Sequence, residues 1–297
     1  MDLLHNIGVK LIWVAVLGDW LNLVLKWVLF GERLYWWQFS IACETGPGSP
    51  SGHAMGSAGV GYVMVTSETS KENHCFNITH LRVTSAFRCL QLMLWMLLGL
   101  VELLVCMSRV YLAAHFPHQV ISGVISGIIV AEIFSRVQWI YSASLKKYVC
   151  VTLYLLFFAV GLYVLLKAVG VDLLWILAKA QKWCISPDWV LLDSTPFASL
   201  LRNMGTLFGL GLGLHLSGYN ETAGRKHSSS ISIRTGCIGV SLVLLQLLDK
   251  MTSSSSNQLL FYLLSFCKSA VALVLPTALV PGVICWISSK SKHEKDM

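Results

Sequence analysis

Charge is what this sequence has least of. Asp, Glu, Lys and Arg together make up 12% of its 297 residues, roughly half the share usual in a soluble domain. Hydrophobic residues reach 55% and the mean hydropathy is +0.67, which excludes an ordinary water-soluble fold. There is no basic stripe interleaved with aromatics, so nothing points to nucleic acid even though the net charge is +7. No Cys or His spacing resembles a zinc site. No internal repeat and no domain boundary is evident, so residues 1–297 read as one integral membrane domain. No cleavable signal peptide is evident: the first apolar run is too long, lacks a basic lead-in and ends in Lys26-Trp27. Cysteine is odd in number, with nine. Cys89, Cys106, Cys150, Cys237, Cys267 and Cys285 sit in or against apolar runs, where Cys acts mostly as a small hydrophobe. Cys43 and Cys184 fall in loops on one side, which leaves a pairing between them open.

What is present in abundance is the long apolar run. Eight stretches read as membrane helices, at about 9–29, 52–67, 87–107, 117–137, 148–168, 194–214, 231–249 and 258–288. The run near 52–67 is the weakest, being short and rich in Gly and Ser; the last is long enough to be tilted or broken near Pro276 and Pro281. The fold class is therefore all-α, a polytopic transmembrane helix bundle. Lys and Arg collect near 68–88, 136–147, 215–230 and at the C-terminus, and eight crossings put these segments and both termini on one side. By the positive-inside rule that side is cytosolic. The sequons Asn77-Ile-Thr79 and Asn220-Glu-Thr222 lie on it and should stay unmodified.

Against this apolar background three charged strings stand out: Lys26-Trp-Val-Leu-Phe-Gly-Glu-Arg33, Pro50-Ser51-Gly52-His53 and Ser108-Arg109-Val-Tyr-Leu-Ala-Ala-His115. The topology count alone puts all three at the non-cytosolic surface. Lys26 and Arg33 are seven residues apart, two helical turns, so both are expected on one face of a helix end. Ser51 and Gly52 precede the second apolar run, where backbone N–H groups and the helix dipole attract an anion. A phosphoryl group in transit spreads negative charge over its equatorial oxygens and needs fixed donors more than covalent help. Arg33 and Arg109 suit bidentate contacts and Lys26 supplies a point charge. Two histidines, with an ordinary pKa of about 6.5, can divide the rest. One attacks phosphorus as neutral imidazole and the other protonates the leaving oxygen.

Each residue also has a plainer use. Lys26 and Arg33 fit headgroup anchors at a helix end, and His53 fits a helix N-terminal residue satisfied by a loop carbonyl. His118, beside Pro117, reads as a turn residue. Glu102 and Lys268 lie within spans, where charge is costly, and read first as polar contacts between helices. No simple structural account needs all three strings on one side in this order.

The order Lys-x6-Arg, Pro-Ser-Gly-His, Ser-Arg-x5-His resembles the phosphatidic acid phosphatase type 2 and vanadium haloperoxidase superfamily. Wider strings resemble the glucose-6-phosphatase catalytic subunit family: Gly18-Asp-Trp-Leu-Asn22, Cys43-Glu-Thr-Gly-Pro-Gly-Ser-Pro-Ser-Gly-His53, His115-Phe-Pro-His-Gln119, Asp193-Ser-Thr-Pro-Phe197 and Ser265-Phe-Cys-Lys-Ser269. The resemblance runs from about residue 8 to residue 280, with a PAP2-like catalytic core at about 9–137. It implies a multi-pass protein of the endoplasmic reticulum membrane with a lumenal site. The implied reaction is hydrolysis of glucose 6-phosphate to glucose and phosphate, the final step of gluconeogenesis and glycogenolysis, without metal or cofactor. His115 would be the nucleophile that forms a phosphohistidine and His53 the proton donor. Lys26, Arg33 and Arg109 would hold the phosphate, assisted by Ser51 and Gly52. Coupling to a glucose 6-phosphate transporter follows from the same likeness. Leu34 stands where the superfamily has Pro, and Gln119 where most of it has Asp. Against the family pattern the loop from Trp37 to Cys43 reads as shortened, and the resemblance leads one to expect a further N-terminal helix ahead of the segment that begins near Gly8, which this reading does not find. Competing expectations are a lipid phosphate phosphatase of the same superfamily, a catalytically inactive member and a polytopic transporter.

Overall fold

A computed structural model describes residues 2–33, 46–76, 83–173, 175–183, 195–222, 231–250, 257–284 and 286–287. Among these residues there is no strand. The helices are α1 (Asp2–Leu29), α2 (Gly52–Phe76), α3 (Val83–Tyr111), α4 (Pro117–Ser135), α5 (Leu145–Ala168), α6 (Trp175–Trp183), α7 (Pro196–Thr222), α8 (Ile231–Lys250) and α9 (Gln258–Val274). All but the short α6 coincide with the eight expected runs. Five segments are long and apolar enough to cross a membrane by length and composition: Asn6–Leu29, Arg88–Tyr111, Pro117–Ser135, Leu145–Ala168 and Gln258–Ile284. The chain is a multi-pass membrane protein of helices, and the exact count of eight crossings is not reached on these criteria. Glycines and polar residues dilute α2, and the same is true of α7.

The described residues fall into two compact units: 1–142 with 158–200, and 143–157 with 201–297. In the first, α1, α2, α3 and α4 pack together, α2 with α4 most extensively. Small residues make this possible. A Cβ on Gly127 would lie 2.3 Å from the Met55 carbonyl, and one on Gly123 2.6 Å from that of Ser51. Without a hydrophobic force between helices in lipid, such close backbone approach supplies the dispersion contacts that hold them. The spacing is that of parallel helices. Gly123 faces Ser51 and Gly127 faces Met55; further along, Tyr62 donates to Glu132 Oε2 at 2.8 Å. α1 runs opposite to α2, with Val14 near Gly59 and Asn22 near Gly52. α3 is also antiparallel to α2: Tyr62 stacks edge-on Trp95 with ring centroids 5.6 Å apart, Gly61 meets Leu98, and Ser57 meets Glu102. The C-termini of α1 and α3 and the N-termini of α2 and α4 therefore share one end.

At that end Trp27, 1% exposed, lies 5.9 Å from the rings of both Tyr163 and Phe197. At the other end Glu132 accepts from Arg136 at 2.6 Å, and Trp13 meets Trp139 edge-on. Arg136, Lys146 and Lys147 are exposed; most of the other residues behind the orientation argument lie outside the described ones.

In the second unit, glycines Gly205 and Gly209 bring α7 against the backbone at Phe266 and Ala270 of α9. Lys268 of α9 pairs with Asp249 of α8 at 3.2 Å, a polar contact between helices as expected, but an exposed one and not internal. The last apolar run carries a π-helical turn, Leu275–Leu279, around Pro276. A proline lacks the N–H the ladder needs, and a wide turn absorbs the missing bond.

Candidate active site

The three charged strings meet where the four helix ends converge, in a cluster tied mostly through backbone carbonyls. α3 ends at Tyr111, so Arg109 lies in its last turn and not beyond it. Two residues past Tyr111, Ala113 takes a left-handed φ of 52°, and the chain turns sharply into His115 before α4 begins. The Ala114 and His115 N–H groups both reach back to the Arg109 carbonyl, at 3.1 and 3.4 Å. Phe116 is the N-cap of α4, Pro117 its first residue, and Gln119 its third. Proline is pre-set for that first position. The Phe116 N–H donates to Gln119 Oε1 at 3.2 Å, closing the helix start.

His115 is completely buried. Its Nδ1 lies 2.8 Å from the Gly48 carbonyl and 3.3 Å from Gln119 Oε1. Both neighbours are acceptors, so Nδ1 carries the hydrogen. In a neutral imidazole that leaves the lone pair on Nε2. This is the arrangement a nitrogen nucleophile requires: one ring nitrogen anchored as a donor, the other basic. Gln119 is itself anchored, since its Nε2 donates to the Glu32 carbonyl at 2.8 Å. The position that holds Asp in most of the superfamily thus acts here as a neutral bridge. The stronger partner of the ring is a backbone carbonyl.

Arg33 departs from its expected place. α1 stops at Leu29, and Phe30 takes a φ of 49°. Lys26 alone remains on the last helical turn, and the shared helix face expected for Lys26 and Arg33 does not form. Arg33 instead turns inward and is 2% exposed. Its Nε donates to the Gly46 carbonyl at 2.6 Å, Nη1 to the Ala114 carbonyl at 3.1 Å and Nη2 to the Pro47 carbonyl at 3.3 Å. With three of its five N–H groups so engaged, at most two can face a phosphate. The guanidinium clamps the loop before α2 to the turn before His115.

Ser51 also differs from expectation. Its backbone N–H, foreseen as an anion donor, is taken by the Gln119 carbonyl at 2.9 Å. Its hydroxyl, fully buried at the N-cap of α2, has no hydrogen-bond partner among the described residues. A capping serine normally accepts from the first turn of its helix; here the hydroxyl is left for another group. Gly52 opens α2 against the Asn22 side chain. His53 follows one residue later and is exposed.

Several partners escaped the sequence reading. The Gly48 carbonyl and the Glu32 carbonyl belong to the backbone, and no side-chain pattern reports them. Asn22 donates to the Pro50 carbonyl at 3.1 Å and fixes the loop whose Ser49–Pro50 bond is cis. Its membership of the Gly18–Asn22 string was the available signal. His118 stacks on Phe116 with centroids 5.7 Å apart, a turn residue as anticipated. Leu34, Cys43, Cys184 and Asp193 lie outside the described residues.

A bundle of membrane helices that buries one histidine against a carbonyl, with a second histidine, a serine hydroxyl and cations at the same helix ends, defines a phosphatase of the PAP2 type. The PAP2 superfamily profile matches residues 7–143. Glucose-6-phosphatase catalytic subunit 1 of Haplochromis nubilus is 60% identical over 96% of this chain and 83% of its own length. The protein of the same name from Canis lupus familiaris is 55% identical over 93% and 80%. Glucose-6-phosphatase 2 of Mus musculus is 45% identical over 93% and 82%. No solved structure matches. The chain belongs to the glucose-6-phosphatase catalytic subunit family.

Proposed function

We propose that this protein hydrolyses glucose 6-phosphate to glucose and phosphate through a phosphohistidine, at the lumenal face of the endoplasmic reticulum membrane. The substrate follows from the relatives' names. The observation that carries the mechanism is His115 buried with Nδ1 anchored at 2.8 Å on the Gly48 carbonyl. Its Nε2 lone pair attacks phosphorus, forming the N–P bond as the bond to the sugar O6 breaks. His53, exposed toward the entering substrate, gives its proton to that oxygen, and glucose leaves. A water molecule then attacks phosphorus and gives a proton to His53; the N–P bond breaks, its electron pair returns to Nε2, and phosphate departs with His115 neutral again.

Lys26 and Arg109, each in the last turn of a helix that ends at the site, supply positive charge to the equatorial oxygens. Such cations also complement the helix C-termini while the phosphate is away. The Ser51 hydroxyl and the Gly52 N–H at the start of α2 add neutral donors. Arg33 contributes charge from beneath while holding the His115 turn in place. The lumenal placement and a functional link to a glucose 6-phosphate transporter belong to the same proposal, supported by the family. Phosphate release from glucose 6-phosphate by the purified protein, blocked by vanadate and absent in His115→Ala, is the expected result. Turnover of phosphatidate in micelles with no turnover of the sugar phosphate overturns the substrate.

A further inference from the structure

α2 carries His53 at its start and α3 carries Arg109 at its end, so the sliding of these two helices sets where proton donor and phosphate ligand stand. The two pack antiparallel in a regular register. Tyr62 meets Trp95 and Gly61 meets Leu98. One turn nearer the site, the Ser57 hydroxyl lies 3.1 Å from Glu102 Oε2. In each of these pairs the residue numbers sum to nearly the same value, so the register continues evenly toward the site. Carried one turn further, the same register sets His53, at the start of α2, opposite Cys106, with Arg109 another turn along α3. Aromatic and aliphatic pairs resist sliding only weakly, because a shifted contact buries similar area. A hydrogen bond is directional and is lost on a shift of an ångström. The pair of Ser57 and Glu102 is the last rung before the reacting groups, and it is the polar one.

Glu102 is also out of place on any purely structural view. It sits in a membrane-crossing segment, Arg88–Tyr111, where a carboxyl group is costly and usually functional. Its Oε1 is solvent-inaccessible and has no hydrogen-bond partner among the described residues. Ser57 Oγ also lies 2.8 Å from the His53 carbonyl and 3.3 Å from the Ala54 carbonyl, the back-bond to the preceding turn that helical serines make. With its single hydrogen on that turn, the oxygen links α2 to α3 by accepting from the Glu102 carboxyl group in its protonated form.

We propose that Glu102 is a positioning residue, which through Ser57 locks α2 and α3 in the register that sets His53 against Arg109. This rests on the hydrolytic reading for its kinetic consequence only; the locked register stands on geometry. The test compares Glu102→Leu, Glu102→Gln, Ser57→Ala and the Ser57→Ala/Glu102→Leu double variant in glucose 6-phosphate hydrolysis, against the unaltered chain. Glu102→Leu is expected to lower kcat about tenfold with KM changed less than about twofold, since small misplacement costs rate more than binding. Glu102→Gln, which keeps a polar partner for the Ser57 hydroxyl, is expected to recover most of that loss. The double variant is expected to be no worse than Glu102→Leu.

A second readout needs no turnover: oxidative cross-linking of His53→Cys to the native Cys106, with and without Glu102→Leu. Cross-linking should form readily and slow severalfold when Glu102 is lost. An unaltered chain without hydrolysis but with Glu102-dependent cross-linking removes the hydrolytic reading and keeps the register. Cross-linking indifferent to Glu102, wild-type kcat in Glu102→Leu, or additive losses in the double variant each overturn the proposal.

Discussion

Replacing Arg33 by lysine separates two jobs that the sequence cannot distinguish. If Arg33 mainly held phosphate, lysine would keep the charge, leave the protein folded and raise KM. The geometry says otherwise. Three carbonyls, of Gly46, Pro47 and Ala114, lie 2.6 to 3.3 Å from three different guanidinium nitrogens, in a side chain 2% exposed. A lysine ammonium is one nitrogen on a flexible stem and cannot reach three divergent acceptors. It leaves one or two buried carbonyls without a donor, at about 1–3 kcal/mol each. The total is on the order of 1–6 kcal/mol, a substantial part of the roughly 5–15 kcal/mol typical of a folded domain. The assay is thermal unfolding in detergent, followed by loss of the monodisperse peak in size-exclusion chromatography. Arg33→Lys should fall well below the unaltered protein in midpoint and yield. Lys26→Met, in the last turn of α1 and outside the three-carbonyl clamp, should lose less in midpoint than Arg33→Lys while losing activity. An Arg33→Lys protein with an unchanged midpoint and only a raised KM refutes the clamp.

Other outcomes follow from the same geometry. Gly48→Ala places a Cβ 2.5 Å from the Glu32 carbonyl and 2.8 Å from Gln119 Oε1; displacing these should cost kcat about 100-fold, measured by phosphate release. Gly127→Leu drives a side chain into the Met55 carbonyl, 2.3 Å from the Cβ position, and should abolish folded protein on size-exclusion chromatography. Tyr62→Phe removes one donor to Glu132 at the end far from the site, where Arg136 remains bound. It should cost about 1 kcal/mol, seen as a small fall in midpoint with kcat and KM unchanged.

The helices were legible because apolar runs of membrane length have few other uses, and the common end of the three strings followed from counting crossings. Helix ends were harder. Arg109 falls two residues past the apolar run at about 87–107 yet lies in the last turn of α3, because the backbone stays helical to Tyr111 beyond the last apolar side chains of the run. Lys26 and Arg33 were expected on one face because seven residues make two turns. The helix stops at Leu29, where Phe30 takes a left-handed backbone that no propensity scale favours for phenylalanine. Polar contacts within spans were foreseeable in kind, and Glu102 and Lys268 both found partners on neighbouring helices. The partners of His115 and Arg33 were out of reach. They are carbonyl oxygens of residues 32, 46, 47, 48 and 114, which every sequence possesses and only the folded chain aims.

Trapping the covalent intermediate tests the centre of this account most directly. Purified protein mixed briefly with glucose 6-phosphate labelled in its phosphorus, quenched in alkali and digested, should carry base-stable label on the peptide containing His115. His115→Ala should carry none and release no phosphate. Phosphate release without label on His115, or undiminished release by His115→Ala, would contradict the assignment of His115 as nucleophile.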